Sequence, residues 1–184
     1  MKEYSRKHPE FSLCGLNCVL CPRFQTEGKS KCPGCGGKQF YEKHPTCAVI
    51  TCSQKHNNVE FCYDCEEFPC KKYDVPIKQD SFISKKYFTD NMNEAKIDIL
   101  KYLDGLKEKQ SILEDLIKNY NDGRMKNYYC LAVNLIPRTE LKRIMRKIQN
   151  TKTENIEIKE KAKFVKNIFE EEAKLLGIRI ELRK

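Results

Sequence analysis

Residues 14–70 have the sequence CGLNCVLCPRFQTEGKSKCPGCGGKQFYEKHPTCAVITCSQKHNNVEFCYDCEEFPC and contain ten of the chain's eleven cysteines. Three pairs, CVLC, CPGC and CYDC, have two residues between the cysteines. This spacing lets two thiolates at a tight turn bind the same metal ion, at Zn–S distances of about 2.3 Å. We therefore predict a metal-binding domain whose folding depends on the metal. The candidate ligands are Cys14, Cys18, Cys21, Cys32, Cys35, Cys47, Cys52, Cys62, Cys65 and Cys70.

The CPGCG segment at residues 32–36 is the most specific part of this stretch. Proline restricts φ, and glycine permits backbone conformations that a Cβ atom would resist. This combination is typical of a metal knuckle.

Ten thiols exceed the eight that two tetrahedral Cys₄ sites require. In the simplest, sequential arrangement, the first site uses Cys18, Cys21, Cys32 and Cys35. The second site uses Cys47, Cys52, Cys62 and Cys65. Cys14 and Cys70 are then additional, bridging or alternative ligands. A crossed arrangement, in which the first close pair shares a metal with the third, stays open. His44 and His56 lie within the block and could replace a thiol, although exposed loop histidines are more common.

The metal is predicted to be zinc, with two ions per chain. An iron–sulfur cluster is the alternative, because residues 14, 18 and 21, or residues 62, 65 and 70, could each hold three corners of one. The bacterial ferredoxin run C-x2-C-x2-C-x3-C-P is absent from the sequence.

Three segments carry a resemblance to a known family: CGLNCVLCPRF at residues 14–24, the CPGC knuckle, and FCYDCEEFPC at residues 61–70. Together they resemble an uncharacterised bacterial and archaeal family, a cysteine-rich domain of unknown function with a terminal Pro-Cys signature. The resemblance covers residues 14–70. It implies a zinc-binding domain and supplies no activity.

Composition places the chain among globular proteins. It has 184 residues, of which 40% are hydrophobic and 33% are charged. No apolar run approaches the roughly 20 residues of a membrane span, and the N-terminus has no apolar signal core. We therefore expect a cytoplasmic protein without membrane association, in which clustered thiols are more often metal ligands than disulfides.

The composition changes after Cys70, where residues 71–80 are predicted to form a linker. We predict two domains, a small cysteine-rich metal-binding domain at residues 1–76 and a mainly α-helical domain at residues 77–184. Apolar stripes at helical spacing predict helices starting near Asn91, Thr139 and Thr151 and a helical domain with its own core. Alternation at residues 178, 180 and 182 predicts a short C-terminal strand.

Two smaller predictions concern the interior. Val49 and Ile50, with Val59 and Phe61, are candidates for short strands between the knuckles. Cys130, in the third helical stripe, is predicted to be a buried core thiol, because free cysteine is among the most buried residue types.

Charge is unevenly spread in this chain of net charge +9. Residues 77–184 contain 24 Lys and Arg against 17 Asp and Glu. Four cations, Lys142, Arg143, Arg146 and Lys147, form one face of a predicted helix and could contact phosphates. Aromatic residues are not interleaved with them, so nucleic-acid binding is not favoured.

No catalytic constellation is evident in the sequence, and four thiolates around zinc leave no open position for a water molecule. We therefore do not expect an enzyme. The sequence favours a metal-stabilised interaction or regulatory module that binds a protein partner or associates with itself. An iron–sulfur redox protein and a nucleic-acid-binding protein are the alternatives.

Overall fold

The computed structural model describes residues 3–44, 46–74, 79–151 and 156–183. Within these ranges the protein is mainly helical and contains no β-strand. The α-helices are α1 (Phe40–Lys43), α2 (Ala48–Lys55), α3 (Lys71–Asp74), α4 (Phe88–Ile97), α5 (Ile99–Tyr120), α6 (Lys126–Leu135), α7 (Arg138–Gln149) and α8 (Ile158–Leu175). Three single-turn 3-10 helices lie at Cys18–Leu20, Gly28–Ser30 and Cys62–Asp64.

The cysteine-rich segment contains short helices where strands were expected. Val49 and Ile50 lie in α2, so the strand prediction there is wrong. Ile50 is buried against Leu13 and Phe40, and a helix supplies this contact with its backbone groups already paired. Phe61 has an extended backbone, but it precedes a 3-10 turn instead of pairing with a strand.

The 22-residue helix α5 is the centre of the helical part and contacts α4, α6, α7 and α8. Asp98 separates α4 from α5, because its side chain accepts a hydrogen bond from the Lys101 N–H at 3.0 Å and caps the new helix. The predicted helix starts are shifted. Helix α4 begins at Phe88 instead of Asn91, and α7 begins at Arg138, directly after Pro137. The third predicted start, near Thr151, is followed by residues outside the described ranges, and α8 begins at Ile158.

One large apolar core contains side chains from both parts of the chain. Phe11, Leu20 and Phe61 from the cysteine-rich segment belong to the same buried cluster as residues of α4 to α8. Cys130 is also buried in it, which confirms the prediction of a core thiol. A smaller cluster around Leu13 and the knuckle lies beneath the cysteines.

The C-terminal residues do not form the predicted strand. Helix α8 ends at Leu175, Gly177 adopts a left-handed φ of 65°, and the Ile178 N–H returns to the Ala173 carbonyl at 2.8 Å. Ile178 and Ile180 pack on the large core, and Arg183 binds Asp80. A hydrogen bond to the end of α8, apolar packing and the contacts between Arg183 and Asp80 therefore hold this segment where a β-ladder was expected. Within the described ranges, no helix is long and apolar enough to cross a membrane.

Candidate metal centre

Glycine shapes the CPGCG knuckle. Gly34 has a φ of 83°, and a Cβ atom there would collide with the Pro9 carbonyl group. The Cys35 N–H donates to the same carbonyl oxygen at 2.9 Å. This close approach confirms that the knuckle depends on glycine, and it holds Cys35 beside the N-terminal residues.

The first thiol group surrounds Cys18. Burial raises the pKa of Cys18 well above its usual value, and the neighbouring thiols of Cys35, Cys14 and Cys32 raise it further. Burial also raises the pKa of Cys21, where Cys32 adds to the effect. These five residues, Cys14, Cys18, Cys21, Cys32 and Cys35, therefore lie in one neighbourhood, which we call the knuckle group.

A buried cation accompanies the knuckle group. The Arg6 side chain is only 1% exposed, donates to the carbonyl oxygens of Glu60 and Phe11 at 2.9 and 2.8 Å, and pairs with the Glu60 carboxylate at 3.4 Å. Burial raises the pKa of Cys35 to about 11 even though the charge of Arg6 acts to lower it. Arg6 therefore favours the ionised form of nearby thiols, the form that binds metals.

The second thiol group lines a small cavity of about 30 Å³. Its cysteines, which we call the thiol cavity group, are Cys52, Cys62, Cys65 and Cys70. Burial raises the pKa of Cys62 to about 12, with further contributions from Cys14, Cys70 and Cys52. A void of this size accommodates a single ion or one or two waters.

Tyr73 also lines the thiol cavity. Its hydroxyl is buried and forms no well-aligned hydrogen bond with any described residue, although it is close enough to Cys62 for each group to shift the pKa of the other. Burial, followed by the Cys62 thiol, raises the pKa of Tyr73. The Tyr73 hydroxyl and the Cys62 thiol are therefore neighbouring polar groups at the wall of the thiol cavity.

The family comparison concerns the same segment. Residues 10–75 match a family model described as a protein of unknown function, DUF3795. Residues 10–75 are therefore similar to that family, and on that basis we call this segment the DUF3795 domain. The match confirms the resemblance found in the cysteine motifs. No curated protein and no solved structure matches the chain significantly.

The DUF3795 domain groups its cysteines differently from the sequential arrangement. Cys70 lines the thiol cavity, whereas Cys47, at the start of α2, acts on the pKa of Cys14. Cys14 also acts to raise the pKa of Cys62 and the pKa of Cys18, so this member of the knuckle group lies near the thiol cavity group as well. Sequence analysis treated Cys14 and Cys70 as additional, bridging or alternative ligands, and the Pro-Cys ending of the family signature is the one sequence feature that singles out Cys70. Arg6 and Tyr73 carried no such signal.

The thiols are neighbours, but their side chains do not converge. Among the described residues, no three His, Cys, Asp or Glu side chains are arranged to hold a metal ion. All eleven cysteines are free thiols, which matches the chemistry of a zinc site in donor type. The cysteine-rich segment therefore supplies the donor type of a zinc site, and its described residues do not form a metal-binding cluster.

The histidines differ in their surroundings. His8 stacks on Phe61 and lies 3.2 Å from the Glu10 carboxylate, and His44 stacks on Phe40. His56 alone among the three histidines lines the thiol cavity. It is therefore the histidine best placed to replace a thiol.

The basic face of α7 is largely paired with acids from other helices. Lys142 binds Glu108 at 2.6 Å, and Arg143 binds Glu172 at 2.6 Å. Lys147 lies 3.6 Å from both Glu171 and Glu172. Within the described part of the chain, Arg146 has no ion pair. The sequence of residues 142–147 could not predict these acidic partners, because they lie on α5 and α8.

Proposed function

We propose that the DUF3795 domain is a structural zinc-binding unit that stabilises this chain as an interaction or regulatory module. The observation that supports the proposal is the thiol cavity, where Cys52, Cys62, Cys65 and Cys70 line a small void beside the Tyr73 hydroxyl. These four residues would hold one ion. In the knuckle group, Cys18, Cys32 and Cys35 would hold a second ion with Cys14 or Cys21.

The chemistry of the donors favours a structural role. A zinc ion bound by four thiolates cross-links distant parts of the chain and presents no open position. Since burial raises the pKa of Cys62 to about 12, its thiol is protonated at neutral pH and must lose that proton on binding. Arg6 would then offset part of the negative charge on the knuckle group.

Metal content tests the proposal. Protein purified with zinc should contain about two ions per chain by elemental analysis. Cys52→Ser should lose about one ion, whereas Cys130→Ser, which alters a buried thiol of α6 outside both groups, should keep the full content. Chelation should disorder residues 14–70, measured by circular dichroism and proteolysis.

Two results would overturn the proposal of a structural zinc unit. Zinc-reconstituted protein that holds no metal would exclude the zinc unit. A brown anaerobic preparation with iron and sulfide would instead support the iron–sulfur alternative, since the thiols suit both metals.

The interaction role is supported by exposed apolar side chains at the junction of α4 and α5. Ile97 is 87% exposed and Leu100 is 69% exposed. Adjacent exposed apolar groups favour a protein contact or self-association. Light scattering of the wild type and of Ile97→Asp should show an oligomer that the variant weakens. A monomeric wild type would exclude self-association and leave another protein as the partner.

A further inference from the structure

A second cavity, of about 260 Å³, lies at the junction of the cysteine-rich segment and three helices. Asn17 comes from the cysteine-rich segment, Glu94 from α4, Tyr102 and Lys109 from α5, and Arg138 from α7. Its lining is therefore polar and charged, unlike the thiol cavity. A cavity assembled from four separate segments is preformed by the fold.

Lys109 is the unusual residue of this cavity. Its ammonium group donates to the Asn134 carbonyl oxygen at 3.4 Å and makes no ion pair with any described residue. Burial lowers the pKa of Lys109 to about 8, although Glu94 opposes the effect, and the charge of Arg138 lowers it further. Lys109 and Arg138 thus repel each other across a cavity that a third cation, Lys101, also lines.

Arg138 is incompletely neutralised. Its Nη1 lies 3.5 Å from Glu108 Oε1, while the other oxygen of Glu108 binds Lys142 at 2.6 Å. Gly105 leaves room for the guanidinium, since a Cβ atom there would lie 3.1 Å from Arg138 Nη1. The guanidinium therefore lies against the wall of the cavity. Its acidic partner, Glu108, is shared with Lys142.

The remaining wall presents fixed amide groups. Asn17 Oδ1 accepts a hydrogen bond from the Tyr102 hydroxyl at 2.8 Å, and Asn17 Nδ2 donates to Asn134 at 3.2 Å. Asn91, which also lines the cavity, donates through Nδ2 to the Gly15 carbonyl at 2.9 Å. Each side-chain amide retains a second N–H, so the wall offers oriented donors.

We propose that this cavity binds a small organic anion, with Lys109 and Arg138 as the charge partners of its carboxylate or phosphate group. An oxyanion between the two cations relieves their repulsion and accepts charge-assisted hydrogen bonds from both. Glu94 on the same wall disfavours a second negative group, so the ligand carries one anionic end and a neutral hydrogen-bond donor. The cavity lies outside the knuckle group and the thiol cavity group, although Asn17 of the cysteine-rich segment forms part of its wall.

Calorimetry with inorganic phosphate and with lactate tests this site, using the full chain. Wild type should bind at least one probe saturably at one site. Lys109→Met keeps the aliphatic stem and removes the charge, and it should weaken binding by about tenfold or more. Lys107→Met is the matched control, because Lys107 lies on the same helix, is largely exposed and pairs with Asp104 at 3.3 Å, so binding should be unchanged.

Thermal unfolding of each variant establishes that it is folded, and Arg138→Gln replaces Lys109→Met if the latter is not. Absence of saturable binding up to about 10 mM of either probe, the range of a weak small-molecule site, would overturn the proposal. Equal affinities in wild type and Lys109→Met would overturn it as well, since the anion would then bind elsewhere.

Discussion

The side-chain amide of Asn17 donates a hydrogen bond to the side-chain oxygen of Asn134, 3.2 Å away and 117 residues later in the chain. Both residues are buried, and the Tyr102 hydroxyl donates to the other end of Asn17 at 2.8 Å. A polar network therefore crosses the interior between the DUF3795 domain and helices α5 and α6. Buried networks of this kind favour one packing arrangement over others.

Removing one member of the network should destabilise the whole chain. Asn17→Ala leaves the Tyr102 hydroxyl and the Asn134 oxygen without partners, at a cost of about 2–3 kcal/mol in the free energy of unfolding. Tyr128→Phe is a suitable comparison, because that hydroxyl makes only a long contact of 3.4 Å to the Lys166 carbonyl, and its loss should cost less. Urea denaturation measures both, and equal effects would contradict the network's role.

The shared core changes the expectation for an isolated helical fragment. Sequence analysis predicted a helical domain with its own core, but Phe11, Leu20 and Phe61 complete the core of α4 to α8. A fragment of residues 79–184 should therefore keep helical circular dichroism, bind a hydrophobic dye and unfold without a sharp transition. A sharp two-state transition without dye binding would show that the helices fold alone.

Gly15 brings the cysteine-rich segment against α4. Its φ is 98°, and a Cβ atom there would collide with the Phe88 carbonyl group. Gly123→Ala is the matched control, because Gly123 has a φ of 93° and nothing within 4 Å of a built Cβ. Both substitutions impose a left-handed backbone on alanine, which costs about 1–3 kcal/mol, and only Gly15→Ala adds the collision. The midpoint temperature of thermal unfolding should therefore fall further for Gly15→Ala than for Gly123→Ala. A larger fall in Gly123→Ala would refute the close approach of Gly15 to Phe88.

Asp80 anchors the C-terminal segment in a pH-dependent way. Arg183 Nη2 lies 2.8 Å from Asp80 Oδ1, and the Arg183 backbone N–H donates to Oδ2 at 2.9 Å. Burial acts to raise the pKa of Asp80, but hydrogen bonds from Arg183 and the Lys85 N–H outweigh it and hold the pKa at about 2. Because the folded-state pKa is lowered, this contribution is present above the unfolded pKa of about 3.9 and is lost as the pH falls through about 2.

The variant Asp80→Asn isolates that contribution. Near neutral pH it should be less stable than wild type by about 1 kcal/mol, after allowance for solvent screening. The difference should shrink as the pH approaches about 2, where Asp80 becomes protonated in the wild type as well. Urea denaturation of both proteins between about pH 2 and neutral pH measures this difference in stability. A difference that does not change with pH would argue against the ion pair.

The cations of α7 should differ in their importance for stability. Arg143 pairs with Glu172, whose side chain is 7% exposed, so Arg143→Gln leaves a buried carboxylate with only Lys147 at 3.6 Å. Arg146→Gln on the same helix should have a smaller effect, because Arg146 donates a hydrogen bond to the Lys142 carbonyl oxygen at 3.3 Å and pairs with no acid among the described residues. Equal unfolding midpoints for the two variants would mean that the Arg143–Glu172 pair contributes nothing measurable.

Much of the helical architecture follows from periodic apolar residues. Leu113 and Leu116 in α5, and Leu141 and Ile144 in α7, are buried as their spacing predicted. Local signals were enough here because each stripe occupies one helix face. The break at Asp98 was missed, since an apolar stripe continues across it and only the capping geometry ends α4 there.

The errors arise where distant residues decide the local structure. The alternating residues 178–182 have the spacing of a strand, but their backbone is fixed by the end of α8 and by Asp80, 103 residues away from Arg183. The grouping of the thiols likewise depends on how α2 and the Cys62–Asp64 turn pack, which spacing alone does not specify. The identity of the metal stays a prediction, because thiol spacing suits zinc and iron–sulfur clusters alike.

The core that joins Phe11 and Phe61 to the helices has a consequence for the lifetime of the protein in a cell. Opening of the cysteine-rich segment would uncover apolar side chains of the helices at the same moment, and proteases act on such opened states. Damage to the thiols by an oxidant would therefore shorten the half-life of the entire polypeptide. Abundance in the cell would then report the chemical state of residues 14–70.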